Sequence, residues 1–329
     1  MISIENDALK VTFPDIDESQ SLHISFQRTL RIPNDGQTYP LPPGLGNFPL
    51  HHVEDVALGD LEHRKARGGV IMPMFQTDAL WLNFRYVHDY SVKARQRRNT
   101  TVDGLDVVTT GRPYRAYSEV DLPLAIKVGA GKINALTGQQ WSPGLQSDPQ
   151  NYLVTPDQPW LDGFNTGEEK IRQFIATPLG DGQSAEEQLN PTSDVGGLQL
   201  EIFPMRKAFF RRLRAQNATV EEPLMCFSMA SVSASKEMSL GLGGAIHQEI
   251  YEDEYGPDVW DLERGQRCFI MIANAQQWMS LTGEAPPLPP LSVEDYKRAG
   301  LPWFDHYDGD RKAIEGSAIL GALKPVEGV

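Results

Sequence analysis

Apolar residues that recur at every second position set the strongest limit on what this chain can fold into. Leu122, Leu124, Ile126 and Val128 alternate in this way, as do Leu80, Leu82, Phe84 and Tyr86, and again Leu198, Leu200 and Ile202. A period of two places each set on one face of a strand, and it does not fit the helical repeat. The 29 glycines and 24 prolines among 329 residues supply turns between such strands and interrupt long helices. The expected fold class is mainly β (α+β), as two β-rich, possibly duplicated halves packed together with a few short helices.

The densest signals lie in 121–163, and the rest of the chain is read as arranged around that stretch. Its alternating strand ends in the small residues Gly129, Ala130 and Gly131, which permit close backbone approach. Two Trp-bearing loops follow. Pro159-Trp160-Leu161-Asp162-Gly163 is expected as a tight turn at the end of a strand at 152–155. Trp160 then packs over the organising strand and Asp162 accepts from the turn's own amides.

In chain order, 2–13 and 22–32 read as two strands joined by a turn across PDIDESQS, and 33–49 as a Pro- and Gly-rich loop or linker. Residues 69–74 and 79–86 read as strands paired with each other. A hairpin or arm is inserted at 87–119, with Asp103-Gly104 at its bend. Strands are expected at 171–177, 197–203 and 267–273, and a short helix capped by Ser184 with Glu187. A basic helix is inserted within 205–225, and 241–244 reads as a flexible glycine turn. A helix at 274–281 is closed by Gly283, and Ser292 caps another after the extended APPLPP connector. The organisation is an N-terminal half (1–147), a C-terminal half (148–288) and a wrapping segment (289–329).

Four short tokens occur twice in the same order. Leu58-Gly59-Asp60 returns as Leu179-Gly180-Asp181, Gly68-Gly69 as Gly196-Gly197, Pro73-Met74 as Pro204-Met205, and Leu136-Thr137-Gly138 as Leu281-Thr282-Gly283. An internal duplication and coincidence in a Gly- and Pro-rich chain both produce this pattern. Two packed halves would place a ligand in the groove between them.

The net charge of −14 disfavours nucleic acid and anionic membrane, which call for a positive field. The cations are nonetheless clustered, at Lys93, Arg95, Arg97 and Arg98 and at Arg206, Lys207, Arg211, Arg212 and Arg214. Basic segments on so acidic a body suit docking between copies, a homo-oligomer, and equally suit two solvated surface segments. Two cysteines, Cys226 and Cys268, are too few for a disulfide framework and read as free thiols in a reducing compartment. No apolar run reaches the roughly 18 residues of a membrane span, and the start lacks a signal-peptide pattern. The expected location is cytoplasmic.

No catalytic motif survives inspection. Gly129-Ala130-Gly131-Lys132 lacks the flanking residues of a phosphate loop and reads as a turn. The seven histidines show no zinc spacing, and Gly-x-Ser-x-Gly is missing. Asp305, Asp308 and Asp310 surround a glycine, as calcium loops do, so calcium is the candidate cofactor; a solvated acidic loop has the same composition. Glu252, Asp253, Glu254 and Asp258 form a second acidic cluster. Trp141, Trp160, Trp260 and Trp303 stand near turns, and all but Trp141 have a close acid, Asp162 beside Trp160. An aromatic plate next to a carboxylate suits a sugar-like polar ligand. The ligand-binding candidates are Trp141, Trp160, Asp162 and Trp303. The expected function is a soluble β-rich ligand-binding or self-assembling protein, with a hydrolase using loop carboxylates on a glycan as the alternative.

At HISFQRTLRIP, YPLPPGLGNFPL, PDQPWLDGF, IRQFIATPLGDG, AEEQL, GGLQLEIFPM and AGLPWFDHY the sequence resembles an uncharacterised family of bacterial proteins sometimes labelled integral membrane protein. The resemblance runs over most of the chain and implies no activity, cofactor or catalytic residue. Its membrane label conflicts with the absence of a spanning run, and 87–119 and 205–225 resemble the family least.

Overall fold

Asn6 and Asp7 both take positive φ, 51° and 55°, and reverse the chain between β1 (Ile2–Glu5) and β2 (Ala8–Phe13). Asn and Asp tolerate this region better than other residues with a side chain, which is why a two-residue hairpin forms here. The long β3 (Asp17–Thr29) follows after a turn confined to 14–16. The opening 32 residues thus hold three strands where the alternation suggested two. Much of PDIDESQS is strand because the Asp17 carboxylate fastens the entry to β3, accepting from Ser19 N and Oγ at 2.8 and 2.6 Å.

This computed structural model describes the chain except residues 43, 57–64, 77, 90–100, 103–104, 107–119, 168–169, 218–237, 286–297, 299–302, 304–310 and 327–329. The Pro-rich run holds the short β4 (Thr38–Tyr39) and β5 (Gly44–Asn47), followed by β6 (His51–His52), β7 (Val70–Pro73) and β8 (Ala79–His88). Next, β9 (Thr101–Val102) pairs with β10 (Leu105–Asp106), and Asp103-Gly104 lies outside the described residues. The organising strand is β11 (Leu124–Ala130), with β12 (Ile133–Asn134), β13 (Leu153–Thr155), β14 (Trp160–Leu161), β15 (Gly163–Gly167) and β16 (Lys170–Pro178) after it. The rest comprises α1 (Ala185–Leu189), β17 (Leu198–Pro204), α2 (Lys207–Gln216), β18 (Met238–His247), β19 (Gln266–Ala273), α3 (Ala275–Thr282) and α4 (Ala318–Gly321). Ser184 and Glu187 form the expected capping box on α1, and Gly283, at φ 74°, closes α3.

The strands form two antiparallel ladders. One runs β1, β2, β3, β8, β16, β18, and the other runs β13, β11, β17, β19. Among the described residues they join at the single pair Met238↔Ile272 between β18 and β19. Inward-facing residues of both ladders fall into one buried cluster: Ile24, Phe26, Leu80, Leu82 and Leu240 from the first meet Leu124, Ile126, Leu200, Ile202 and Ile270 from the second. The chain is therefore mainly β, and its pairing network crosses the 147/148 boundary, since β8 pairs with β16 and β7 with β19.

Three expectations are corrected. Strands β7 and β8 are not partners: β7 lies parallel to β19, and β8 lies between β3 and β16. The glycine turn at 241–244 is the middle of β18, because Gly241, Gly243 and Gly244 sit where a Cβ would come within 2.4 to 2.5 Å of Val326, Ile175 and Pro33. The organising strand buries both faces, including Lys127, whose ammonium donates to the carbonyls of Ser142 and Gly144.

The repeated Gly-Gly tokens have a local explanation. Gly69 and Gly197 both take positive φ, and a Cβ on either would collide with consecutive carbonyls of β19, Phe269 O at 2.0 Å and Ile270 O at 2.3 Å. They lead the two strands that flank β19, one parallel and one antiparallel. The same backbone demand selects the same residues without a duplicated half. Residues 311–326 return over the body, bridging Ala313 to Tyr251 and Pro325 to Leu242. Among the described residues, no helix is long and apolar enough to cross a membrane.

Candidate ligand site around Trp160

Loop 156–162 is held by side-chain amides as well as by its own turn, in which Gln158 N donates to Val154 O at 2.7 Å. Gln158, 3% exposed, donates to Trp160 O and Glu249 O, both at 3.2 Å, and accepts from Tyr251 N at 3.2 Å. Gln248, 4% exposed, donates to Trp160 O at 3.1 Å and accepts from Asp162 N at 3.0 Å. Each glutamine thus serves a buried donor and a buried acceptor, as a peptide group in a neighbouring strand would. This frees Trp160 and Leu161 to pair with Asn83 and Leu82 of β8.

Trp160 is therefore in a strand, and the expectation of a tight turn packed over the organising strand is replaced. Its ring is half-buried against Ile32, Leu41 and Ile246. It meets the edge of Trp81 at 6.5 Å and 67°. Tyr39 and Trp303, also half-buried, pack on the same small cluster with their centroids 6.1 Å apart. On β8, Leu80 and Leu82 point into the core, so Trp81 and Asn83 lie on the other face with Trp160. Ser25 and Gln27, opposite Asn83 and Trp81 on β3, add polar groups to this face. Ser25 and Gln27 are buried, and among the described residues the Gln27 side-chain oxygen has no hydrogen-bond partner. The result is a cluster of tilted, half-buried rings beside the half-buried Asn83 amide.

Asp162 stands behind Trp160. It is 2% exposed, and its Oδ2 has no partner among the described residues. Burial pushes its carboxyl up to about 7, against the opposing hydrogen bond from the Trp160 indole. The expected bonds from turn amides to this carboxylate are replaced by that indole, and the Asp162 amide itself goes to Gln248. Among the described residues, no charged group contributes to the shift.

The structure brings together Trp160, Trp303 and Asp162 of the residues singled out from sequence. Trp141 is elsewhere, lying over Gly129 with the Lys127 ammonium 4.6 Å from its ring. Trp260 is fully buried and donates to Asp253 at 2.8 Å, so it is core. Asp253 also accepts from the Tyr152 hydroxyl at 2.6 Å, which gives one member of the second acidic cluster a structural role. The calcium candidates Asp305, Asp308 and Asp310 lie outside the described residues, as do Cys226 and the helix expected after Ser292. The described residues contain no cluster of three metal-ligating side chains. Tyr39 and Trp81 were not singled out from sequence. Trp81 carried a signal, since a Trp on the polar face of an alternating strand has no core to enter.

No family model, curated protein or solved structure matches the chain. The fold and site define a mainly β chain with a half-exposed aromatic surface, and any reading of function rests on that geometry.

Proposed function

We propose that this chain is a soluble, cytoplasmic, non-catalytic binding protein that takes a small polar ring, a sugar or similar compound, on the surface of Tyr39, Trp81, Trp160 and Trp303. The observation that carries this reading is the convergence of four half-buried rings beside the half-buried amide of Asn83. Ring faces stack on the apolar side of a sugar while neighbouring amides meet its hydroxyls. Titrating a panel of oligosaccharides against the intrinsic Trp fluorescence tests it. A saturable change that weakens at least about tenfold in Trp160→Ala is expected, on the scale of one lost aromatic contact. Equal binding by the variant, or no saturable change with any sugar, would overturn it.

The alternative of a glycan hydrolase draws on Asp162, a carboxyl held near 7 and so suited to donate a proton. A paired-carboxylate mechanism needs a second acid about 5 to 9.5 Å away. Asp162 is 2% exposed, so a substrate reaches it less readily than it reaches the aromatic surface, which favours binding over hydrolysis. Self-association has its own support in α2, where Lys207, Arg211 and Arg212 are exposed while Arg214 is anchored to Asp17 at 2.7 Å. Light scattering at low and high salt separates it, because a monomer under both removes assembly. The bacterial family resemblance is compatible with these readings and adds no activity to them.

A further inference from the structure

Strand register places an unusual set of cations on the outer face of the second ladder. Gln199 of β17 lies directly opposite Phe269 of β19, and Glu201 opposite Arg267. Directly paired positions stand about 5 Å apart at Cβ, and positions two along share the face. The Arg67 guanidinium rests 5.4 Å from the centre of the Phe269 ring, and Lys132 Nζ reaches Gln199 Oε1 at 3.4 Å. Lys132 and Arg67 therefore flank one cross-strand pair, with Arg267 on the next.

Two carboxylates, Glu186 and Glu201, offset part of this charge and leave the cations in excess. Arg67 donates to Val195 O at 3.2 Å, and neither it nor Lys132 forms an ion pair with a described residue. Arg267 pairs with Glu201 at 3.2 Å. Glu186 is nearby and fully buried, yet it is occupied by Lys132 N at 3.2 Å, Gly196 N at 2.9 Å and the Ser193 hydroxyl. The Lys132 ammonium is held below its ordinary range by burial first and then by Arg267 and Arg67, with Glu186 and Glu201 acting in the opposite sense. Arg67 and Arg267 are exposed, so an anion from solution can reach them.

A cleft of about 450 Å³ opens beside Lys132, walled by Gln139, Asn190, Ser193 and the Glu186 carboxylate that Ser193 and two backbone amides already engage; Arg67 and Arg267 stand outside its wall. The geometry points to an anion site in which Lys132, Arg67 and Arg267 hold the phosphate group of a small phosphorylated molecule whose remainder enters this cleft. Phosphate fits better than a carboxylate because the three cations come from three separate segments, which suits a tetrahedral, doubly charged oxyanion. The mode differs from a phosphate loop: the amides of Gly131 and Lys132 already donate to Gly197 O and Glu186, so side chains alone must bind. Nothing in this site overlaps the aromatic surface, so the two readings stand or fall separately.

Calorimetric titration of the full chain with inorganic phosphate, at constant ionic strength set with chloride, tests the site. Saturable binding by the wild type, at least about tenfold weaker in both Lys132→Gln and Arg67→Gln, is expected, matching the loss of one charge-assisted contact. An Arg211→Gln/Arg212→Gln variant on α2 should bind as the wild type does. Equal weakening in that control would reduce the effect to general charge and overturn the site. Absence of saturable binding, or citrate binding more tightly than phosphate, would overturn it as well.

Discussion

Replacing Asp162 by Asn should abolish a pH dependence that one buried carboxyl imposes on stability. In the folded chain this group titrates at about 7, while its ordinary value is 3.8. Between those values the unfolded chain has released the proton and the native chain retains it. The unfolded state therefore binds fewer protons, and stability falls as pH rises through the window. The group's full contribution is present below about pH 4 and is lost as pH passes 7. Three pKa steps correspond to roughly 4 kcal/mol, an order-of-magnitude figure for a fully buried group. Asn keeps the shape and an oxygen for the Trp160 indole, and it has no proton to lose. Its amide donors replace the orphaned Oδ2, at a cost of about 1 to 3 kcal/mol. Urea unfolding at steps from pH 4.5 to 8.5 measures the comparison. The stability difference between variant and wild type should swing toward the variant by several kcal/mol as pH rises, with contributions from distant acids cancelling. A difference that stays flat within about 1 kcal/mol from pH 5 to pH 8 would show that Asp162 is not the buried, raised acid described here.

Three further outcomes probe the same framework. Gln248→Leu removes the acceptor of Asp162 N and should cost about 1 to 3 kcal/mol in urea unfolding, because that amide is left buried and unpaired. Gly197→Ala should cost roughly 2 kcal/mol or more, since φ is 63° and the new Cβ would lie 2.3 Å from Ile270 O; a loss below about 1 kcal/mol would mean that β17 and β19 are not so closely spaced. Trp160→Ala should cost about 2 kcal/mol, less than for a fully buried Trp because the ring is only half covered, and thermal unfolding read beside the sugar titration separates its structural from its binding role.

The strands that announced themselves are those whose neighbours demanded large apolar side chains on one face. Leu80 to Phe84 and Leu198 to Ile202 carry that pattern, and both stretches are strands with those residues buried. Helix ends were legible for a similarly local reason, because Ser184 with Glu187 and Asn274 with Gly283 act within one turn of the chain. Strand β18 was not legible. Its glycines look like a turn, but they are small because Val326, Ile175 and Pro33 press on the backbone from distant parts of the chain. Partner choice was hidden for the same reason: β7 finds β19 across most of the sequence, and local alternation carries no label for the partner.

The site was half legible, and the missing half turns on glutamine. Trp160 and Asp162 stood out as neighbours in sequence, and that composition led to a turn satisfied by its own amides. In the fold, Gln158 and Gln248 take over those hydrogen bonds, so the backbone at Trp160 is free to extend and pair with β8. A glutamine reads as a surface residue until a buried loop offers it both a carbonyl and an amide, and such an offer exists only in three dimensions. Once the loop is pinned this way, the Trp160 indole donates to the Asp162 carboxylate, and among the described residues its Oδ2 has no partner. The raised titration of Asp162 and the outward placement of Trp160 therefore share a cause. Loosening the glutamine clamp at Gln248 should lower the one while disordering the other. Concerted loss of the pH-dependent stability and of the Trp160 fluorescence response in Gln248→Leu is the expected result, and loss of only one of them would show that the two are not coupled.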